Sequence, residues 1–399
     1  MFAQKKLIIG IVSGVVVLAA LITTIVVMMQ SSPPLEIEAP PVVEPAPEPK
    51  PPAPKPTTYP LTGLPLALSS STSDAEQEAA ALVNARPLCV KIENSYDARP
   101  QTGFSKADVV YETISEGGIT RFNCIFQSNI PEEVGPVRSA RNSDVTLVPQ
   151  YQGVLFFSGA NGVVLDQLAA AQVPSVSDGG LGFHRVDFRA APHNLYLTLP
   201  SGYGAAEWGG YPITLTQPAT LEFLSSAVEA DASSSSSKAA SSASGAASSG
   251  TAARAASASS SSATANPPAT PVSLLSVPFS SGFIAEWQWA AEEAGGRWLR
   301  SMDGPTTDAA DGSQIAATNV VVLWAPYTPD AAGGTTWEIN LNGSGKASIF
   351  TQGGRIDGTW ETDGSTPPRF RDASGRTIRL TPGNTWFQVL PPDIDVSAV

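Results

Sequence analysis

The stretch Val109–Gln127, VVYETISEGGITRFNCIFQ, reads as a β-hairpin and sets the class of fold. Val109–Ser115 alternates in polarity, Glu116-Gly117-Gly118 is a turn signal, and Ile119–Gln127 is the returning strand. Side chains alternate across a strand, so Phe122, Cys124 and Phe126 share one face while Arg121, Asn123 and Ile125 share the other.

Upstream, Ala75–Val83 reads as a short helix and Pro87–Glu93 as a strand. Phe104–Asp108 carries an S-x-x-D pattern, with Ser105 expected to cap a helical turn. Downstream of the Gly135-Pro136 turn, Asn142–Val148 is expected to be a helix ended by Pro149. Gly153–Ser158 follows as a buried strand, Val163–Ala171 as a helix, Val173–Phe188 as irregular chain, and Pro200–Trp208 as a helix-like turn. Strand-like sequence continues over Ile213–Phe223 and Pro271–Trp289. From Phe283 to Pro392 short strand signals alternate with turns, a spacing that suggests a small sandwich or barrel.

Leu7 to Met29 is uncharged, with Ser13, Thr23 and Thr24 as its mildly polar members. About 20 apolar residues span a bilayer, and Lys5 and Lys6 precede the run, so it is expected to be a single-pass anchor with a cytoplasmic N-terminus and extracellular C-terminal domains. A cleaved signal peptide is the alternative, but its apolar core would be shorter, roughly 7–15 residues. No cysteine near the end of the run offers an acceptor for lipid. Pro33–Pro56 is rich in proline and should form an extended stalk or tether. Ser225–Ala265 is almost entirely Ser and Ala and lacks the apolar periodicity of a core, so it is expected to be a disordered insert.

The expected fold class is therefore α+β. A transmembrane anchor (1–30) and a Pro-rich linker (31–58) lead to a mixed α/β first domain (59–212). A mostly-β second domain (213–392) carries the Ser/Ala insert within 225–270.

Lys and Arg number 23 against 36 Asp and Glu, a net charge of -13, which argues against nucleic acid as a partner. There is no phosphate-binding P-loop and no nucleophile elbow. The two cysteines, Cys89 and Cys124, are too few for a structural zinc site; a disulfide and a pair of free buried thiols are both open. Cys124 shares a face with Phe122 and Phe126, and Cys89 with Lys91 and Glu93. The histidines, His184 and His193, match no known metal-ligand spacing, so no metal or cofactor is expected.

The chemistry-bearing candidates are Arg121, Arg138 and Arg141. Arg138 and Arg141 lie three apart at the expected helix start near Asn142, where free N–H groups and the helix dipole favour an anion, and Arg121 lies on the polar face of the neighbouring strand. Together they suggest an anion site. The competing reading pairs each arginine with Glu112, Glu116 or Asp144 as internal salt bridges. Glu112, Glu116, His193 and Asn194 are secondary candidates, and no residue is assigned a catalytic role.

The chain resembles the DUF3048 family of bacterial envelope proteins. The resemblance rests on Pro60-Leu61-Thr62-Gly63, Arg86 to Asn94, Ala98 to Gly103, Ala107 to Glu112, Glu116 to Phe122, Gly135 to Arg141 and Ala191 to Tyr196. In the second half it rests on Arg300 with Asp303-Gly304, Asn319 to Val322, Gly358-Thr359-Trp360 and Pro382 to Trp386. It implies two domains on the outer face of the membrane and association with penicillin-binding proteins and wall synthesis. This chain departs from the family in its apolar anchor in place of an N-terminal lipid, in the Ser/Ala insert, and in Thr306-Thr307 where the family often has histidine. The expected function is binding of an anionic cell-wall polymer or of a wall-synthesis enzyme such as a penicillin-binding protein. An enzyme acting on a phosphorylated or glycan wall substrate is the alternative.

Overall fold

The hairpin is the centre of a larger sheet. The computed structural model describes residues 21–26, 57–68, 75–225, 265–292, 295–331 and 336–399. The chain divides into two units, Met1–Pro54 and Lys55–Val399. In the first, residues 21–26 are helical and exposed, and the rest of the expected anchor lies outside the described residues. Among the described residues no helix is long and apolar enough to cross a membrane. The stalk, and the Ser/Ala run over 226–264, also lie outside the described residues.

In the second unit the N-terminal half is mixed α/β and the C-terminal half mostly β. Helix α1 (Ala75–Asn84) precedes β1 (Leu88–Glu93), β2 (Val109–Ile114) and β3 (Thr120–Phe126). Next come α2 (Asn142–Gln150), β4 (Val154–Phe157), α3 (Gly162–Ala170), β5 (Ser175–Ser177) and α4 (Ser201–Trp208). The C-terminal half supplies β6 (Leu274–Ser280), β7 (Phe283–Ala290), β8 (Arg297–Ser301) and β9 (Asn319–Trp324). It continues with β10 (Gly343–Thr351), β11 (Gly354–Thr362), β12 (Arg369–Arg371), β13 (Thr377–Ile378), β14 (Thr385–Leu390) and β15 (Ser397–Ala398).

The expected hairpin forms with Ile114 opposite Thr120, and Gly117 and Gly118 take φ of 66° and 76°, which a side chain would resist. The expected separate sandwich or barrel does not form. One sheet runs β13-β12-β11-β10-β9-β14-β2-β3-β1-β4-β5, with β14 parallel to β2 and Val110 beside Trp386, so both halves of the chain share it. A second sheet, centred on β6, β7 and β8, packs on one face of the first through Trp287, Trp298, Phe122 and Trp386. Helices α2 and α3 cover the other face over Tyr111, Ile125, Leu155 and Phe387. With both faces covered, β1, β2, β3, β9 and β14 are buried along their whole lengths.

Other local expectations change as well. The turn at Phe104–Lys106 is capped by Gly103, not Ser105, because Asp108 turns away to accept bonds from Gln127 and Ser128. Residues 213–223 form no strand; Thr214 bridges Ala85 and Phe223 bridges Leu380 singly. The glycine-rich 173–188 region holds β5 and the short strand Phe183–Arg185. Cys89 and Cys124 are free, buried thiols in the cores on opposite faces of the sheet.

Candidate functional site

Strand parity brings charge to the helix-covered face. In the β1–β3 register Lys91 lies opposite Asn123 and Glu93 opposite Arg121. The segment after Gly135-Pro136 then runs along the end of β1. The Arg138 amide donates to the Lys91 carbonyl (2.9 Å) and the Ser158 amide to the Arg138 carbonyl (2.9 Å), wedging the segment between β1 and β4. Helix α2 starts directly after it. Asp144, in its first turn, accepts from the Arg141 amide at 2.7 Å. The other oxygen of Asp144 takes Lys91 Nζ at 2.8 Å and Asn123 at 2.9 Å.

The structure thus gathers Arg121, Arg138 and Arg141 around Glu93 and Glu116. Arg141 is a latch. It donates to Glu116, to the Ser115 hydroxyl and to the Ser139 and Ala140 carbonyls, tying the hairpin turn to the start of α2. Arg121 is buried beneath it, donates to the Ser139 carbonyl at 3.2 Å, and stands 3.8 Å from Glu116; among the described residues its Nε has no hydrogen-bond partner. Arg138 is half-buried. Its Nε stands 3.2 Å from Glu93, and among the described residues its guanidinium makes no hydrogen bond. His193 reaches the same Glu93 carboxylate, with Nδ1 at 3.0 Å, and its Nε2 is 3.8 Å from Asp97.

Other candidates lie elsewhere. Glu112 points to the opposite face of the sheet, fully buried, where Arg300 donates to both of its oxygens at 2.9 and 3.1 Å. Asn194 accepts from Arg185 and donates to the Val186 carbonyl, holding its own loop. His184 bonds Glu133 at 2.7 Å, well apart in its contacts from His193. Among the described residues no group of three or more His, Cys, Asp or Glu could hold a metal ion.

Four cations, Lys91, Arg121, Arg138 and Arg141, meet three carboxylates, Glu93, Glu116 and Asp144, and His193 links Glu93 to a fourth, the exposed Asp97. Burial, aided by the Arg141 charge and only partly opposed by Glu116, pushes Arg121 down to about 9. Its charge is therefore incompletely compensated. Burial alone would raise Glu116, but hydrogen bonds from Arg141 and Ser115 and the two nearby arginine charges outweigh it and hold the group at about 2.

A carboxyl with a depressed folded pKa contributes stability that is present above its unfolded pKa and lost as pH falls through the folded one. Wild-type protein should lose this contribution between about pH 4.5 and pH 2. Glu116→Gln should lack it, so acid titrations of stability for the two proteins converge at low pH. Parallel curves throughout that range would contradict the latch.

The sequence singles out the arginines but not Glu93, the partner of Arg138, nor Lys91, the partner of Asp144. The signal was available in the parity of β1 against β3, which places Glu93 across from Arg121.

Residues 72–211 match the family described as "Protein of unknown function (DUF3048) N-terminal domain", and residues 275–387 match its C-terminal domain. The chain belongs to the DUF3048 family. It is 29% identical over 320 residues to the Bacillus subtilis (strain 168) protein named "Putative lipoprotein YerB", covering 79% of this chain and 83% of that protein. The crystal structure of the YerB protein from Bacillus subtilis superposes with a TM-score of 0.65 at 26% identity, covering 86% of this chain and 99% of that one.

Proposed function

We propose that this chain is an envelope protein held at the membrane by Leu7–Met29, with Lys55–Val399 outside the cell, and that Arg138 binds an anionic group of a wall component. One observation carries the binding assignment: Arg138 makes one ion pair, its Nε 3.2 Å from Glu93, and among the described residues its guanidinium makes no hydrogen bond. Arginine is suited to forked bonds with phosphate or carboxylate. Arg121, buried behind it, adds positive potential, and Arg141 fixes the segment that presents it. The lipoprotein name of the Bacillus subtilis relative supports an envelope location.

Arg138→Ala should weaken recovery of anionic wall polymer by full-length protein about tenfold or more, the scale of a lost charge-assisted hydrogen bond. Its melting temperature should stay close to wild type, because the substitution keeps the Arg138 backbone bonds and Glu93 keeps its bonds to Ser95 and His193. Unchanged recovery removes Arg138 from the site. If a penicillin-binding protein is recovered through Arg138 and wall polymer is not, the anionic group is a carboxylate of that partner.

A further inference from the structure

A second site lies where the two halves of the chain meet. The segment Tyr96–Gln101 and the loop after β8 face each other across a cavity of about 270 Å³, lined by Tyr96, Arg99, Gln101, Asp303 and Thr307 among others. Its walls are held from behind by a buried network. Gln101 donates to the Glu93 carbonyl and to Asn94 Oδ1, Asn94 donates to Glu112, and Glu112 is held by Arg300. Arg300 also donates to Thr306 at 2.8 Å. Such support keeps a binding site in one geometry.

Tyr96 is 58% exposed. The Arg99 guanidinium stacks over it at 4.7 Å and over Phe283 at 5.2 Å, which braces the ring while leaving most of it open. Asp303 sits at φ 58°, followed by Gly304 at φ 117°, a backbone uncommon for a side-chain-bearing residue and of the kind found at binding sites. Its Oδ2 takes Tyr96 Oη at 2.9 Å and Arg99 at 3.2 Å. Among the described residues Asp303 Oδ1 and the Thr307 hydroxyl have no hydrogen-bond partner, and Gln101 Oε1 is buried without one.

The open groups are chiefly acceptors, so a ligand must donate. The adjoining guanidiniums of Arg99 and Arg300 disfavour a cation, and the Asp303 carboxylate disfavours an anion. A neutral, donor-rich ligand with an apolar ring face fits these conditions. We propose that this cleft binds a neutral saccharide unit, its ring face on Tyr96 and its hydroxyls donating to Asp303 and Thr307. The proposal does not depend on the reading of Arg138.

The test is calorimetric titration of full-length protein, in a non-glycosidic detergent, with chitotetraose, cellotetraose and maltotetraose. Saturable binding of at least one is expected. Tyr96→Ala should weaken it about tenfold or more, whereas Tyr96→Phe, which keeps the ring, should stay within about threefold of wild type. Arg138→Ala should leave it unchanged. No saturable binding of any of the three sugars, or wild-type affinity in Tyr96→Ala, overturns the proposal. So does saturable binding of a wall tetrapeptide without binding of any of the sugars.

Discussion

Arg300→Ala is expected to lower the stability of the Lys55–Val399 unit by about 3–5 kcal/mol, because it strands the Glu112 carboxylate in the core. Both side chains are fully buried, and Glu112 draws further bonds from Thr120 at 2.7 Å and Asn94 at 3.3 Å. The Arg300 guanidinium lies 5.5 Å from the rings of Phe122 and Trp386 and 6.0 Å from Trp287, so the charge is enclosed by aromatic faces that favour a cation. Glu112 comes from the first half of the chain and Arg300 from the second. The pair, with the β2–β14 pairing, makes one cooperative unit of the two halves. Denaturant unfolding should show a single transition moved to lower concentration. Replacing both partners with apolar residues, Glu112→Leu with Arg300→Met, should recover much of the loss, since no unpaired charge then remains. A loss below about 1 kcal/mol for Arg300→Ala would mean that the pair is open to water and does not join the halves.

The second large effect is expected at Asp144. Asp144→Ala removes the partner of buried Lys91, a bond from Asn123 and the cap on the Arg141 amide, for a combined loss of about 3–5 kcal/mol. Burial already pushes Lys91 below the usual lysine range, with Asp144 opposing that shift. Without Asp144 the folded pKa of Lys91 falls further. A base with a depressed folded pKa makes stability rise with pH above that value, since the unfolded chain then holds the extra proton. The deficit of Asp144→Ala should accordingly be largest at neutral pH and narrow as pH rises. Lys91→Met in the same background should remove the narrowing. A deficit constant from neutral to alkaline pH would show that Lys91 is not held as a buried cation.

The hairpin was legible because its signals are local: alternating polarity on both sides of a Glu-Gly-Gly turn. The helices at Asn142 and Gly162 lie within a few residues of the bounds read from sequence, but Pro149, expected to end the first, lies inside it and the helix runs on to Gln150. The parallel pairing of β2 with β14 was not legible. It joins residues far apart in the chain, and nothing in VVYETI marks TWFQVL as its neighbour. The same blindness hid Arg300 as the partner of Glu112, because a fully buried arginine reads in sequence like any exposed one. At the candidate site the arginines stood out by type and spacing. Glu93 did not, because its role follows from strand register rather than from any motif.

On the proposed reading Arg138 pairs with Glu93 through its Nε and offers the rest of its guanidinium to an anion on an otherwise acidic chain. The most direct test of that reading is a calorimetric titration of full-length wild type, Arg138→Ala and Tyr96→Ala with a glycerol-phosphate polymer at low and high salt. Saturable binding that weakens as salt rises is expected for wild type and for Tyr96→Ala, with a loss of about tenfold or more in Arg138→Ala. Equal affinity in wild type and Arg138→Ala, or no binding by wild type at low salt, would contradict it and leave the three arginines as internal salt bridges alone.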